Sequence, residues 1–257
     1  MRYDDLFRLD EQTAVVFGGY GGIGTELCKG LAHYGANIVV AGRSAQKAKR
    51  LAQAIEGTGR RALGLQVDAT VADNVRKGVE TAVNQFGGID IMVNCVGAQR
   101  DIPAEDYAEE DWDRIVGVNL RAAFLTAQAV GRIMIKQNRG KIIILTSVRS
   151  ALGIRSGFVA YCSAKGGMNM LTKQLATEWA KYNINVNAIA PTFIRTEQVA
   201  NYLTDREFYE KLVNRIPLGR VGETIDLVGA TVLLASPASD FITGHVLFVD
   251  GGVTACQ

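Results

Sequence analysis

Apolar and polar positions fall along this chain in two kinds of block. Short runs rich in Val and Ile recur at 13–17, 37–41, 62–67, 89–94, 141–146, 184–189 and 246–250, each the length of a buried strand. Between them, apolar residues return every three or four positions at 22–35, 44–56, 71–86, 110–137, 159–181 and 223–235, the spacing of helices with one buried face. Strands alternating with helices predict an α/β fold, a seven-stranded parallel sheet flanked by helices on both faces with right-handed crossovers. No linker, repeat, low-complexity run or charge block interrupts the sequence, so residues 1–257 are read as one domain. In such sheets ligands bind beyond the carboxyl ends of the strands, where Asp68, Asn94 and Ser147 fall.

The first strand run leads straight into Gly18-Gly19-Tyr20-Gly21-Gly22-Ile23-Gly24, and apolar residues then recur at Ile23, Leu27, Leu31 and Tyr34. Glycines let the backbone turn sharply and let a pyrophosphate approach a helix N-terminus, whose free N–H groups and dipole favour anions. A lone glycine turn can simply be flexible. The strand before it and the helix after it favour a Rossmann-type, doubly wound dinucleotide domain. The second strand ends in Ala41-Gly42-Arg43-Ser44, with no acid to bond a ribose 2′-hydroxyl and an Arg suited to a 2′-phosphate. NADP(H) is therefore favoured. NAD(H) stays open, because no second basic residue stands in the glycine turn.

Tyr161 and Lys165 stand four apart, with Ser147 upstream at the end of an apolar run. On a helix both side chains share a face, one turn apart. An ammonium roughly 5 Å from a phenol, at an effective dielectric of about 20, would stabilise the phenolate by about 3 kcal/mol, or roughly two pK units. That would bring Tyr161 toward general acid–base use. By itself the pair also suits an amphipathic helix with a snorkelling Lys; the glycine turn is what favours chemistry.

Composition narrows the partners. A net charge of +2 argues against nucleic acid or a membrane surface, and no apolar run reaches bilayer length. Met1 to Asp10 does not read as a signal peptide. Cysteines at 28, 95, 162 and 256, with only two His, lack metal-ligand spacing. Reduced thiols in a cytoplasmic protein, and no metal site, are the expectation.

Over nearly the whole chain these motifs resemble the short-chain dehydrogenase/reductase family. The segment from Gly18 to Gly24 is similar to its cofactor turn, and Asn94-Cys95-Val96-Gly97 to the Asn-Asn-Ala-Gly segment that stabilises the central sheet. Asn119, Ser147, Tyr161 and Lys165 fall where the family's catalytic four belong, and Asn185 to Pro191 and Gly244 to Gly252 match too. The resemblance implies that Gly18, Tyr20, Gly21, Gly22, Ile23 and Gly24 hold the pyrophosphate side, and Arg43 and Ser44 the adenosine ribose. It implies that Asp68, with Ala69, meets the adenine, that Asn94, Val96 and Gly97 line the nicotinamide side, and that Pro191, Ile194 and Thr196 meet the nicotinamide amide and phosphates. Tyr161 would be the general acid in reduction and base in oxidation. Lys165 would lower its pKa and hold ribose hydroxyls, Ser147 would bind the substrate oxygen, and Asn119 would hold a relay water. The chain departs from the family pattern at Phe17 (usually Thr), at Cys95-Val96 and at Thr192 (usually Gly).

Residues 97–106 and about 192–215 are expected to be loops over the open end, the second a substrate lid. They carry Gln99, Arg100, Asp101, Arg195, Glu197, Gln198, Asn201 and Tyr202. Ser147, Arg149 and Tyr161 are the candidate substrate contacts. These polar and cationic groups suit a hydroxylated, anionic substrate, although loops are polar simply by exposure. Ser147 to Gly153 and Lys173 to Ala180 resemble the family's gluconate 5-dehydrogenase-like sugar and polyol dehydrogenases. The implied function is NAD(P)-dependent hydride transfer between a nicotinamide cofactor and a secondary alcohol or ketone of a sugar, polyol or keto-sugar acid. A 3-oxoacyl-carrier-protein reductase is the alternative within enzymes, and would show a basic patch for its carrier. A non-catalytic nucleotide sensor is the alternative outside them, and would lack Tyr161 or Lys165. Apolar residues of the long helices, including Phe124, Met134, Met168, Met170 and Trp179, exceed what one sheet face covers, and a homotetramer, common in the family, is expected.

Overall fold

The computed structural model describes residues 3–200 and 204–256. Its strands are β1 (Thr13–Phe17), β2 (Asn37–Gly42), β3 (Ala62–Gln66), β4 (Ile91–Asn94), β5 (Gly140–Leu145), β6 (Ile184–Pro191) and β7 (Val246–Val249). The helices are α1 (Gly22–His33), α2 (Ala45–Glu56), α3 (Ala72–Phe86), α4 (Glu109–Val116), α5 (Ala122–Gln137), α6 (Val159–Trp179), α7 (Arg206–Val213) and α8 (Val228–Ala235). The strands pair in parallel, in the order β3-β2-β1-β4-β5-β6-β7.

Successive strand residues point to opposite faces, and each face has its own core. Val16, Ile38 and Val93 pack with Leu27 and Leu31 of α1, Ile55 of α2 and Val232 of α8. Val15, Val39 and Met92 pack with Val79 of α3, Val130 of α5 and Met168 of α6. The chain winds outward from β1 to β3, then crosses to β4 on the other side of β1. That reversal leaves a crevice beyond the carboxyl ends of β1 and β4. Register makes those ends level: Phe17 is opposite both Ala41 and Asn94. Gly18, Gly42 and Cys95 thus stand side by side, with Arg43 one residue further on.

Two expectations needed correction. The helix expected over 110–137 is α4 and α5 joined by a π-helical turn at Gly117–Arg121. Asn119 within it donates from Nδ2 to Ile115 O at 2.8 Å and to Ala98 O at 2.7 Å. A side chain that takes a carbonyl of the preceding turn disturbs the regular ladder, and such turns gather at functional sites. The stretch 192–215, expected as loop, contains α7. Asp205 caps it by accepting from Phe208 N at 3.1 Å, Arg206–Glu210 and Lys211–Glu207 pair one turn apart, and Leu212 anchors it against Ile216 and Val221. Asn201 and Tyr202 lie outside the described residues.

Candidate active site

The glycine turn works by the absence of side chains. Gly18 has φ +75°, where only glycine is unstrained. A Cβ on Gly24 would stand 2.3 Å from Gly18 O, and one on Gly22 would stand 2.7 Å from Thr196 Cγ2. Gly21 is the N-cap of α1 and contributes no side-chain acceptor, so the first-turn N–H groups of the helix face the crevice beside Thr196. Tyr20 plays a part the sequence did not reveal. Its ring covers Gly42, where a Cβ would fall 2.4 Å from Tyr20 Cε1, and its hydroxyl accepts Ser44 N–H at 2.8 Å. Ser44 in turn caps α2, accepting from Lys47 N at 3.3 Å. The glycine turn is thereby tied to the carboxyl end of β2.

Arg43 is exposed at that end. Asp68 lies near enough for its carboxyl to be held below the usual range chiefly by Thr70, whose hydroxyl and N–H donate to Oδ1 at 2.7 and 2.9 Å, with a smaller pull from Arg43. Ala69 is buried beside it. Asn94 stands behind the wall of the site: it is fully buried, donates from Nδ2 to Thr126 Oγ1 at 2.8 Å and accepts Val96 N–H at 2.9 Å. It fastens β4 to α5 and leaves Val96 and Gly97 as the wall.

Beyond the strand ends lies a cavity of about 960 Å³. Ile23, Val96, Gly97, Ser147, Arg149, Tyr161, Lys165, Pro191, Ile194 and Thr196 all line it, although they come from five separate stretches of chain. Ser147 follows β5, its Oγ accepting Arg149 N–H at 3.1 Å, and it stands within hydrogen-bonding reach of the Tyr161 phenol. Lys165 is buried one turn along α6; its Nζ donates to Leu145 O at 2.8 Å and lies 5.6 Å from the Tyr161 ring centre. Asn119 arrives from the π-turn. Its Oδ1 is buried with no hydrogen-bond partner, and Gly97 separates it from Lys165, since a Cβ there would meet Asn119 Oδ1 at 2.9 Å and Lys165 Nζ at 3.6 Å.

The electrostatics differ from the expectation that Lys165 lowers the Tyr161 pKa. Burial raises the phenol above its usual value; the Ser147 hydrogen bond and the Arg149 charge pull it down, and Cys162 pushes it up. Burial also drives Lys165 down to about 8. Arg149 is the cation among the charges named on the phenol, while the Lys165 ammonium gives its hydrogen bond to a main-chain carbonyl. Sequence reasoning also missed Cys95 and Arg215 in the cavity wall. For Cys95 the signal was its place between Asn94 and Val96; Arg215 carried none.

A family model described as enoyl-(acyl carrier protein) reductase matches residues 19–254. The chain belongs to the short-chain dehydrogenase/reductase family, oxidoreductases of the type that the fold and the cavity define. Among its relatives, the gluconate 5-dehydrogenase of Gluconobacter oxydans (strain 621H) is 41% identical over 254 residues, covering 99% of each chain. The 5-keto-D-gluconate 5-reductase of Escherichia coli (strain K12) is 37% identical over 250 residues, 97% of this chain and 98% of that one. A gluconate 5-dehydrogenase from Burkholderia cenocepacia J2315, solved in complex with NADP and tartrate, superposes with a TM-score of 0.95 at 40% identity, over 98% of this chain and 99% of that one.

Proposed function

We propose that this protein interconverts a keto-sugar acid and the corresponding hydroxy acid with NADP(H), as gluconate 5-dehydrogenases do. The observation that carries the proposal is that Tyr161 and Ser147 line one cavity together with Arg149. Three full-length relatives act on gluconate or its 5-keto form by name, and a sugar acid matches a polar, cationic cavity.

The residues present fit the dinucleotide. The turn from Gly18 to Gly24 is a cradle that a Cβ at Gly24 would fill. The α1 N-terminus takes the pyrophosphate, Arg43 with the Tyr20-braced Ser44 takes the 2′-phosphate, Asp68 the adenine amino group, and Val96, Gly97, Pro191, Ile194 and Thr196 the nicotinamide end. When bound, the nicotinamide supplies or accepts the hydride. Ser147 and Tyr161 hold the substrate oxygen between two hydroxyls and orient the reacting carbon. In reduction the Tyr161 hydroxyl gives its proton to that oxygen; a phenol held above its usual pKa by burial keeps that proton available at neutral pH. Reprotonation runs along Lys165 and Asn119, whose orphaned Oδ1 suits a bridging water.

The segment 192–215, with α7, serves as the substrate lid. Phe124 and Met170 are 40% and 60% exposed, on α5 and α6, and suit a homotetramer built on these helices, whereas Met134 and Met168 belong to the core of the chain. Free thiols and a nicotinamide cofactor suit the cytoplasm, and no helix among the described residues is long and apolar enough to cross a membrane. The test is NADPH consumption with 5-ketogluconate, neutral ketoses and an acetoacetyl thioester. Turnover of 5-ketogluconate is expected; activity on the thioester alone would replace this proposal with fatty-acid reduction.

A further inference from the structure

Arg149 and Arg215 both line the cavity, from the segments that follow β5 and α7. Arg149 stands two residues past Ser147 in the turn Val148–Ser150, half-buried, and its Nη1 donates to Gly153 O at 2.9 Å. Arg215 follows α7, where its N–H donates to Leu212 O at 3.1 Å and the neighbouring Ile216 is buried with Leu212 and Val221. That small apolar cluster fixes the backbone from which Arg215 projects.

The cations in this cavity are unbalanced. Among the described residues no carboxylate pairs with Arg149 or Arg215. Lys211 is bonded to Glu207 at 2.5 Å, and Lys165 to a main-chain carbonyl. The one acid in the lining, Asp101, spends its oxygens on Ser156 Oγ at 2.6 Å and Gly157 N at 2.8 Å. Burial, then the charge of Arg215, lowers the Arg149 pKa, so the two guanidiniums repel across the space between them. Holding two like charges together around a cavity costs free energy that a bound anion would recover. After its bond to Gly153 O, Arg149 still has donors free for a planar carboxylate.

We propose that Arg149 and Arg215 form the carboxylate subsite, gripping the acid end of a sugar-acid chain whose ketone meets Ser147 and Tyr161. This rests on the sugar-acid reading above and names the residues that would enforce it. Because Arg215 directly follows α7 on the lid, a bound carboxylate would join the lid to the catalytic strand end. A neutral ketose of the same length lacks the group that makes this link. Arg149 has a second effect, on the Tyr161 phenol, and Arg215 is not among the charges acting on it.

The test compares the wild type with Arg149→Met and Arg215→Met, using NADPH with 5-ketogluconate or with neutral L-sorbose, and calorimetric binding of gluconate or glucitol in the presence of NADP. Both variants should keep wild-type NADPH affinity, which reports an intact fold. Arg215→Met should raise KM for 5-ketogluconate roughly 10-fold and leave kcat and L-sorbose kinetics unchanged; Arg149→Met should raise it roughly 10- to 100-fold. Arg149→Met should also move the basic limb of the pH–rate profile upward, and Arg215→Lys should recover part of the loss. Equal losses on both substrates, or an unchanged KM for 5-ketogluconate, would overturn the subsite while leaving sugar-acid turnover standing. If the wild type turns over no sugar acid, the functional reading falls. The gluconate titration then decides the subsite alone: binding lost in both variants supports it, and absent binding in the wild type overturns it. Tighter binding of glucitol 6-phosphate than of gluconate would overturn the carboxylate assignment in favour of phosphate.

Discussion

Lys165→Met should change how stability depends on pH, by an amount that the burial of the amine sets. Lys165 titrates at about 8 in the folded protein, against 10.5 for an ordinary lysine. At about 1.4 kcal/mol per pK unit, housing the ammonium costs about 3 kcal/mol near neutral pH. The folded pKa lies below the unfolded one, so between about pH 8 and pH 10.5 the unfolded chain binds more protons and stability rises with pH. Linkage gives the wild type about 1 kcal/mol between pH 7 and 9, and about 2.5 kcal/mol by pH 10. The variant has no amine to titrate there. Cys95, which faces Lys165, is pushed up to about 12 by burial and stays neutral throughout. Urea denaturation of both proteins at these pH values, analysed by linear extrapolation, should show the stability gap moving by about 1 kcal/mol in favour of the wild type by pH 9. Most other titrating groups cancel in the difference. Parallel pH dependences would refute the burial-depressed Lys165 amine.

Tyr161→Phe should lower kcat by about 100- to 10,000-fold while NADPH titration gives a nearly unchanged Kd; a near-wild-type rate would remove Tyr161 from the proton transfer. Gly24→Ala drives a Cβ to 2.3 Å from Gly18 O; since both sides of that clash are backbone, NADP affinity should fall at least about tenfold and Tm should drop, and unchanged affinity would refute the cradle. Arg43→Ala removes a charge-assisted phosphate contact of about 1.5–3 kcal/mol, so kcat/KM with NADP should fall roughly 10- to 100-fold, with NAD kinetics little altered. Equal loss with both cofactors would mean that Arg43 does not read the 2′-phosphate.

Strand and helix placement followed from periodicity because each sheet face buries alternate residues and each helix one stripe, so Val15 and Val16, or Leu27 and Leu31, announce their surroundings. The π-turn at Asn119 escaped that reading. It arises from side-chain bonds to Ile115 O and Ala98 O, and the second of these depends on a loop about a third of the way along the chain. The helix α7 escaped for a different reason: it is short and charged, and its apolar contacts lie with Ile216 and Val221 beyond its own end. At the site, residue types were legible and energetics were not. The four-residue spacing of Tyr161 and Lys165 correctly put both beside the cavity. Spacing alone carries no dielectric, however, and burial reversed the expected sign at Tyr161. The cation that does act on the phenol, Arg149, is twelve residues upstream, in a turn whose path is set by Gly153 O. A pKa belongs to an environment assembled from distant segments, so a catalytic motif can identify the proton donor well before the sequence can say which charge tunes it.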